Sequence, residues 1–352
     1  MVDDPIPPRA SSGVAEITAL AAAFDVPVEA VDPTPIDGRV HRHWRMSHPE
    51  FGCVIARVPR MSHLGLTPRA NLIYLATAFR TTSASGATPR LHRVARVSAA
   101  MPWGALLVDW IAGRPPRLPD DLPAVARALG AIHRLPLPAR HRPFLEPEDP
   151  IGYLIAVAHN QLASVRERLP EAARAILDEE LAWAEALAAT DHPRPPARLV
   201  MADTHPGNFR IRDDGTAILL DVERPVVDSP ALDLAHASLP TSLHWDPVVI
   251  GAAGRADIVA FHRAWTAAVP PDLARSTRPW AIAYRRLVWL RTTSWACAWA
   301  ARHDRMAALA SEEPATAGLV RRLARFVDPA MMEIARAGWR GPDAFEPEEL
   351  IP

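Results

Sequence analysis

The texture of the chain changes once, at Gly113-Arg114-Pro115-Pro116, and that change limits the folds open to it. Upstream, Val40–Trp44, Gly52–Val58 and Ala105–Ile111 are short apolar or β-branched runs bounded by turn residues, the pattern of a small sheet. Val14–Phe24 and Pro68–Phe79 have helical spacing. Downstream, long helical patterns take over at Val125–Arg134, Ile151–Arg168, Glu171–Ala189 and Ala281–Arg302, with one β-competent island at Arg198–Leu220. Strands gathered at one end and helices at the other predict an α+β architecture in two parts, and 352 residues can bury a core for each. The proline- and serine-rich residues 1–13 are expected to be disordered.

Composition narrows the partners. A net charge of −1 gives no field that would hold nucleic acid or an anionic membrane wholesale, so neither is expected as a partner. No apolar run reaches bilayer length, and Met1-Val2-Asp3-Asp4-Pro5 is acidic where a secretory leader is basic and then apolar. A cytoplasmic protein is expected. Cys53 and Cys297 form neither a disulfide framework nor a CxxC pair. All 39 basic residues are arginine, so any fixed cation must be a permanently charged, fork-shaped guanidinium.

The β island carries the residues of chemical interest. It runs through Asp203-Thr204-His205-Pro206-Gly207-Asn208 and Phe209–Arg212, turns at Asp213-Asp214-Gly215-Thr216, and returns through Ala217–Leu220 to Asp221. Asp-Gly between two β-competent runs is a hairpin signal. A two-residue turn centred on Asp214 and Gly215 pairs residues whose numbers sum to 429, which sets Asn208 opposite Asp221. Their amide oxygen and carboxylate would share one face, with Asp203 in the loop before them. Oxygen ligands of this kind suit magnesium, which takes one or two carboxylates and completes its shell with substrate phosphates. The same residues also fit an ordinary surface hairpin with polar ends.

Asp203–Asn208 followed by Leu219-Leu220-Asp221-Val222-Glu223 resembles the catalytic and metal loops of the aminoglycoside phosphotransferase and choline kinase family. Ser229-Pro230-Ala231-Leu232-Asp233-Leu234-Ala235 resembles the stretch that follows, Leu106–Gly113 the hinge strand, Leu129–His133 the helix after it, and Val54–Pro59 the nucleotide strand. The resemblance covers roughly residues 25 to 300. It implies a protein-kinase-like, two-lobed fold with a small β-rich N-lobe and a larger, mostly helical C-lobe. The boundaries expected are a tail and helix over 1–24, a nucleotide-binding N-lobe over 25–108, and a C-lobe over 109–352 holding the catalytic loop and acceptor-binding helices.

The activity implied is ATP-dependent phosphorylation of a hydroxyl on a small molecule, such as an antibiotic, a choline-like amino alcohol or another metabolite. Asp203 would orient the hydroxyl and take its proton, and Asn208 and Asp221 would hold Mg2+. Arg57 would grip the ATP phosphates, Gly38 would belong to the loop covering them, and adenine would meet Val108, Asp109 and Trp110. Asp233 would brace the catalytic loop. His205 reads as a positioning residue or a substrate contact, and Glu223 as a second metal-side acid or a solvated charge.

Two positions depart from the family pattern. Met201 stands where the family has a histidine, and Arg69-Ala70-Asn71-Leu72 offers no glutamate to pair with Arg57. A catalytically degenerate kinase-like fold that binds a nucleotide or ligand is therefore the alternative. Residues 251–305 hold nine arginines, read as a solvated helix face, and five tryptophans that follow Trp245, of which Trp295 and Trp299 are one helical turn apart. Such a stripe is either core or a surface for an apolar or quaternary-ammonium acceptor.

Overall fold

The computed structural model describes residues 13–38, 40–138, 142–302 and 322–352, so the expected disorder of the first residues lies outside the described part. The chain forms two compact, interleaved units. The first comprises Met1–Arg114, Pro138–Leu145 and Arg210–Pro225; the second comprises Pro115–Leu137, Glu146–Phe209 and Val226–Pro352.

The first unit is built on helix α1 (Gly13–Phe24) and strands β1 (Ile36–Asp37), β2 (His41–His48) and β3 (Gly52–Pro59), followed by α2 (Pro68–Thr82), β4 (Leu91–Ala95) and β5 (Ala105–Asp109). The five strands form one antiparallel sheet in the order β1-β2-β3-β5-β4. Alternation sorts their side chains. Trp44 and Met46, Val54, Ala56 and Val58, Ala105 and Leu107 share a core with Ile17, Leu20 and Phe24 of α1. The intervening residues point to the other face, so the same pleat that buries Ala56 and Val58 turns Arg57 away from α1. There its guanidinium lies 5.3 Å from the ring centroid of Phe79 on α2. Thr67 starts α2 by accepting from the Ala70 amide, with Pro68 in the first turn.

The second unit holds α3 (Leu122–His133), α4 (Pro150–Leu162), α5 (Glu171–Ala188) and β6 (Arg198–Val200). Next comes the hairpin of β7 (Phe209–Ile211) and β8 (Ala217–Leu219), which passes into the first unit. The second unit resumes with β9 (Val226–Asp228), α6 (Pro230–Ser238), α7 (Pro240–Leu243), α8 (Arg255–Ala268), α9 (Pro271–Thr277) and α10 (Ala281–Arg302). Its core gathers apolar residues of α4, α5, α6 and α10, among them Leu154, Leu177, Leu232, Leu287 and Trp289. No helix among the described residues is long and apolar enough to cross a membrane.

The hairpin departs from the expected register. Arg212 N–H donates to Thr216 C=O, and Gly215 N–H donates back to Arg212 C=O, both at 2.9 Å. That is a three-residue loop, with Gly215 in the left-handed region at φ +78°. Paired numbers therefore sum to 428, and the ladder from β7 to β8 ends at Phe209 and Leu219. The premise that set Asn208 opposite Asp221 is removed, because the Asp-Gly turn takes one residue more than the tightest hairpin does. The helix expected over 151–168 ends at Leu162, and β9, unexpected from sequence, pairs antiparallel with β6.

Several buried groups titrate far from their ordinary values. Burial, foremost, pushes His41, His236 and His262 down from 6.5 to about 3. Burial raises the Asp228 carboxyl to about 6, against hydrogen bonds from Tyr284 and the Ser229 amide that favour its anion. The unfolded chain protonates these histidines near pH 6.5, whereas the folded chain resists until about 3. Their stabilisation is therefore complete above the unfolded value and is lost as pH falls. Asp228 acts in the opposite sense below about pH 6, one group against three. Urea melts should give a midpoint that falls steadily from pH 7 to pH 4.5, and a constant midpoint would contradict this account.

Candidate active site

In the second unit the loop after β6 is held by its backbone. Asp233, on α6 and fully buried, accepts from the amides of Met201 and Ala202, both at 2.8 Å. It also meets His133 Nε2 at 3.0 Å, and His133 Nδ1 accepts the Trp265 indole N–H at 3.0 Å. Because an indole nitrogen can only donate, the His133 proton belongs on Nε2 and is donated to Asp233. Arg291 on α10 donates to the Ala202 carbonyl at 3.0 Å. Ala202 is thus gripped at both its N–H and its C=O, and it sits at φ +60°, where a Cβ costs energy. That bend carries the chain into Asp203, whose side chain is 37% exposed.

The residues after Asp203 are held as firmly. Thr204 donates its amide to His236 Nδ1 and its hydroxyl to the Asp233 carbonyl, both at 2.9 Å. His205 Nε2 and His236 Nε2 lie 3.9 and 4.0 Å from Asp203 Oδ1. Pro206–Asn208 forms a 3-10 turn in which Gly207 is packed by Asp246, whose Cβ would stand 2.5 Å from any Cβ added there. Asn208 donates its amide nitrogen to the Asp203 carbonyl at 2.9 Å. This fixes which end of the amide is oxygen and leaves that oxygen directed away from the Asp203 backbone.

In the first unit Arg57 is buried. One Nη donates to the Leu220 carbonyl at 2.9 Å; the other reaches Glu223 at 3.1 Å and Asp221 at 3.6 Å. Glu223 also abuts His41 Nδ1 and lies 3.5 Å from His63 Nε2. The acid that pairs with Arg57 therefore comes two residues after Asp221. Helix α2 contributes no acid, and Asn71 is buried with its amide nitrogen lacking a hydrogen-bond partner.

The family profile described as the phosphotransferase enzyme family matches residues 37–269. The chain belongs to that family. No curated protein matches it. Among solved structures, an amicoumacin kinase in complex with AMP-PNP, Ca2+ and Ami is 13% identical at TM-score 0.60, covering 90% of this chain and 93% of its own. A macrolide 2'-phosphotransferase from Brachybacterium faecium is 16% identical at TM-score 0.52, over 91% and 99%. A Plasmodium vivax ethanolamine kinase is 12% identical at TM-score 0.54, over 87% and 84%. These likenesses establish the α+β, protein-kinase-like fold.

For this phosphotransferase, the residues singled out from sequence fall into two groups. Arg57, Asp221 and Glu223 meet in the first unit; Asp203, His205 and Asn208 meet in the second, with Asp233 bracing them. Gly38 forms the turn between β1 and β2, its amide donating to His41 C=O at 2.8 Å. The Asp109 carboxylate is taken up by the Arg90 amide and His92 Nε2 at 2.9 and 2.7 Å. The amides of Asp109 and Trp110 are also spent, on Arg90 C=O and Cys53 C=O. Val108 is buried, and the Arg45 guanidinium lies 5.1 Å from the Trp110 ring centroid.

Three arginines of the supposed solvated face turn inward. Arg285 is buried against Ser238, Arg286 pairs with Glu180, and Arg291 holds Ala202. Of the tryptophans, Trp265, Trp280 and Trp289 are core, while Trp245, Trp295 and Trp299 are half-buried. Sequence reasoning missed His41, His236 and Arg291. Only His236 left a signal, three residues after Asp233 on one helix face.

Ala202→Gly should leave stability unchanged or raise it by about 0.5 kcal/mol, since glycine adopts positive φ without steric cost. A clear loss in urea melts would show that the left-handed bend is not what the loop needs. Arg57→Lys keeps the charge but loses the fork that reaches Leu220 and Glu223 together. It should cost about 2 kcal/mol in the same melts.

Proposed function

We propose that this protein transfers the terminal phosphoryl group of magnesium ATP to a hydroxyl of a small molecule, with Asp203 as the base. The observation that carries the reading is the half-exposed Asp203 carboxylate on a loop whose backbone is tied on both sides of it. A base in phosphoryl transfer needs placement more than strength, because most of the catalytic gain comes from holding the hydroxyl in line.

The residues fit the donor and its metal. Asn208 presents an amide oxygen by virtue of the bond its nitrogen makes, and Asp221 is a 31% exposed carboxylate. No group of three or more His, Cys, Asp or Glu residues that could cage a metal occurs among the described residues. That pattern suits an ion held by one or two protein oxygens and otherwise by phosphates. When bound, magnesium ATP supplies the electrophilic phosphorus and offsets the charge of the phosphate oxygens. Arg57, oriented by Glu223, places a fixed positive charge for the nonreacting phosphates. Adenine would lie along Val108–Trp110, and the first amide there not already donated within the sheet is that of Ile111.

In this reading the first unit binds the nucleotide through Arg57, Val108–Trp110 and Asp221, and the second supplies the base. The acceptor is a small alcohol. Relatives of this fold named for amicoumacin, macrolides and ethanolamine support that class without choosing within it. ATP as donor places the reaction in the cytoplasm.

The test pairs a screen with one substitution. Purified protein with magnesium ATP should phosphorylate at least one compound in a panel of choline, amino alcohols, sugars, macrolides and other antibiotics. Asp203→Asn should lower that rate about a hundredfold or more while calorimetric ATP affinity stays within about twofold. Tight nucleotide binding with no transfer to any panel member would favour a binding module instead.

A further inference from the structure

Resting on the phosphotransfer reading, we propose that His236 is a positioning residue for Asp203: a neutral imidazole that holds the loop with one nitrogen and faces the carboxylate with the N–H of the other. Asp233 and His236 are three residues apart on α6 and work on the same loop, one taking the amides before Asp203 and the other the amide after it. The Thr204 amide can only donate, so its 2.9 Å bond puts the lone pair of His236 on Nδ1 and the proton on Nε2. His236 Nε2 lies 4.0 Å from Asp203 Oδ1, a facing distance longer than a hydrogen bond. His205 approaches the same oxygen at 3.9 Å, but its buried Nδ1 has no hydrogen-bond partner, so nothing fixes its tautomer.

The charged and titratable groups that act on His236 are Asp203 and His205 from the loop, Asp233 from its own helix, and Arg291 from α10. Burial, with Arg291 and His205 nearby, keeps His236 uncharged at neutral pH even though Asp203 favours its protonation. The distinction matters for a base. A cation beside Asp203 would bind the carboxylate tightly and weaken its pull on a proton; a neutral N–H orients it at little loss of basicity.

Two substitutions separate the two nitrogens. His236→Asn places an oxygen near the Nδ1 position and keeps an acceptor for Thr204, but removes the group facing Asp203. His236→Gln places an amide N–H near Nε2 and gives up the short acceptor. With magnesium ATP as donor and water as acceptor, ADP release is measured beside thermal melts. His236→Asn should melt like the wild type with an unchanged KM for ATP and a kcat about ten- to a hundredfold lower. His236→Gln should melt lower yet keep kcat within a few-fold. Wild-type kcat in His236→Asn overturns the inference, because a purely structural histidine would be served by that variant. Long-range proton–nitrogen NMR at pH 7 should show His236 protonated on Nε2 alone; an Nδ1–H or imidazolium signal overturns it independently. A wild type that transfers phosphate neither to water nor to any acceptor of the panel sinks the phosphotransfer reading, and this inference with it.

Discussion

The second unit is organised around a single buried carboxylate. Asp233 is fully enclosed, and an enclosed anion is tolerated only when its oxygens are saturated with donors. Its donors come from two places far apart in sequence: the amides of Met201 and Ala202, and the imidazole of His133 on α3. His133 is itself fixed by the indole of Trp265 on α8. Placing α6 correctly is therefore a condition for burying the charge at all. The chain secures it locally with the Ser229 cap, Pro230 in the first turn, and the pairing of β9 with β6. The left-handed Ala202 follows from the same demand, since the two adjacent amides must both turn toward one acceptor.

This explains how the chain departs from the family pattern at Met201 without losing the loop. The contact Asp233 makes there is to the backbone amide, which every residue but proline provides, so the side chain is free to become buried methionine. The absent helix glutamate is a different case. Arg57 is buried and cannot shed its charge, so an acid has to be found. Glu223 fills that need from just beyond Asp221, and the Leu220 carbonyl adds a second acceptor. The partner has moved from a helix to the strand-end segment that carries Asp221. The positions of Arg57 and Asp221 are thereby tied to each other through the four residues Leu220–Glu223.

What the sequence revealed divides along the range of the interactions. Helices α1, α2, α5 and α10 were legible because amphipathic spacing is local, and α10 was placed at its observed limits. Asp233 was legible by resemblance as the brace of the loop before Asp203. The hairpin register was missed by one residue because Asp-Gly permits both two- and three-residue loops, and Gly215 at positive φ serves the longer one. Strands β1, β4 and β9 were missed because two or three residues, or a bulged run such as Leu91–Ala95 with His92 and Arg93, show no clean alternation. The inward arginines were missed for a related reason. Nothing near Arg286 in sequence shows that Glu180 is its partner, or that Arg291 reaches a carbonyl 89 residues away.

The absence of lysine sharpens the chemistry of both groups of site residues. Two buried cations use the guanidinium fork: Arg57 spans a carbonyl and a carboxylate, and Arg336 spans Glu179, Glu180 and Glu333. A lysine at position 57 could lose its proton on burial, whereas an arginine keeps its charge across the working range of pH. The demand for Glu223 as its partner is then constant as well. The other group is built differently: Asp203 Oδ1 has two imidazole nitrogens at 3.9 and 4.0 Å, and of the two rings only His236 has its tautomer set by a backbone amide.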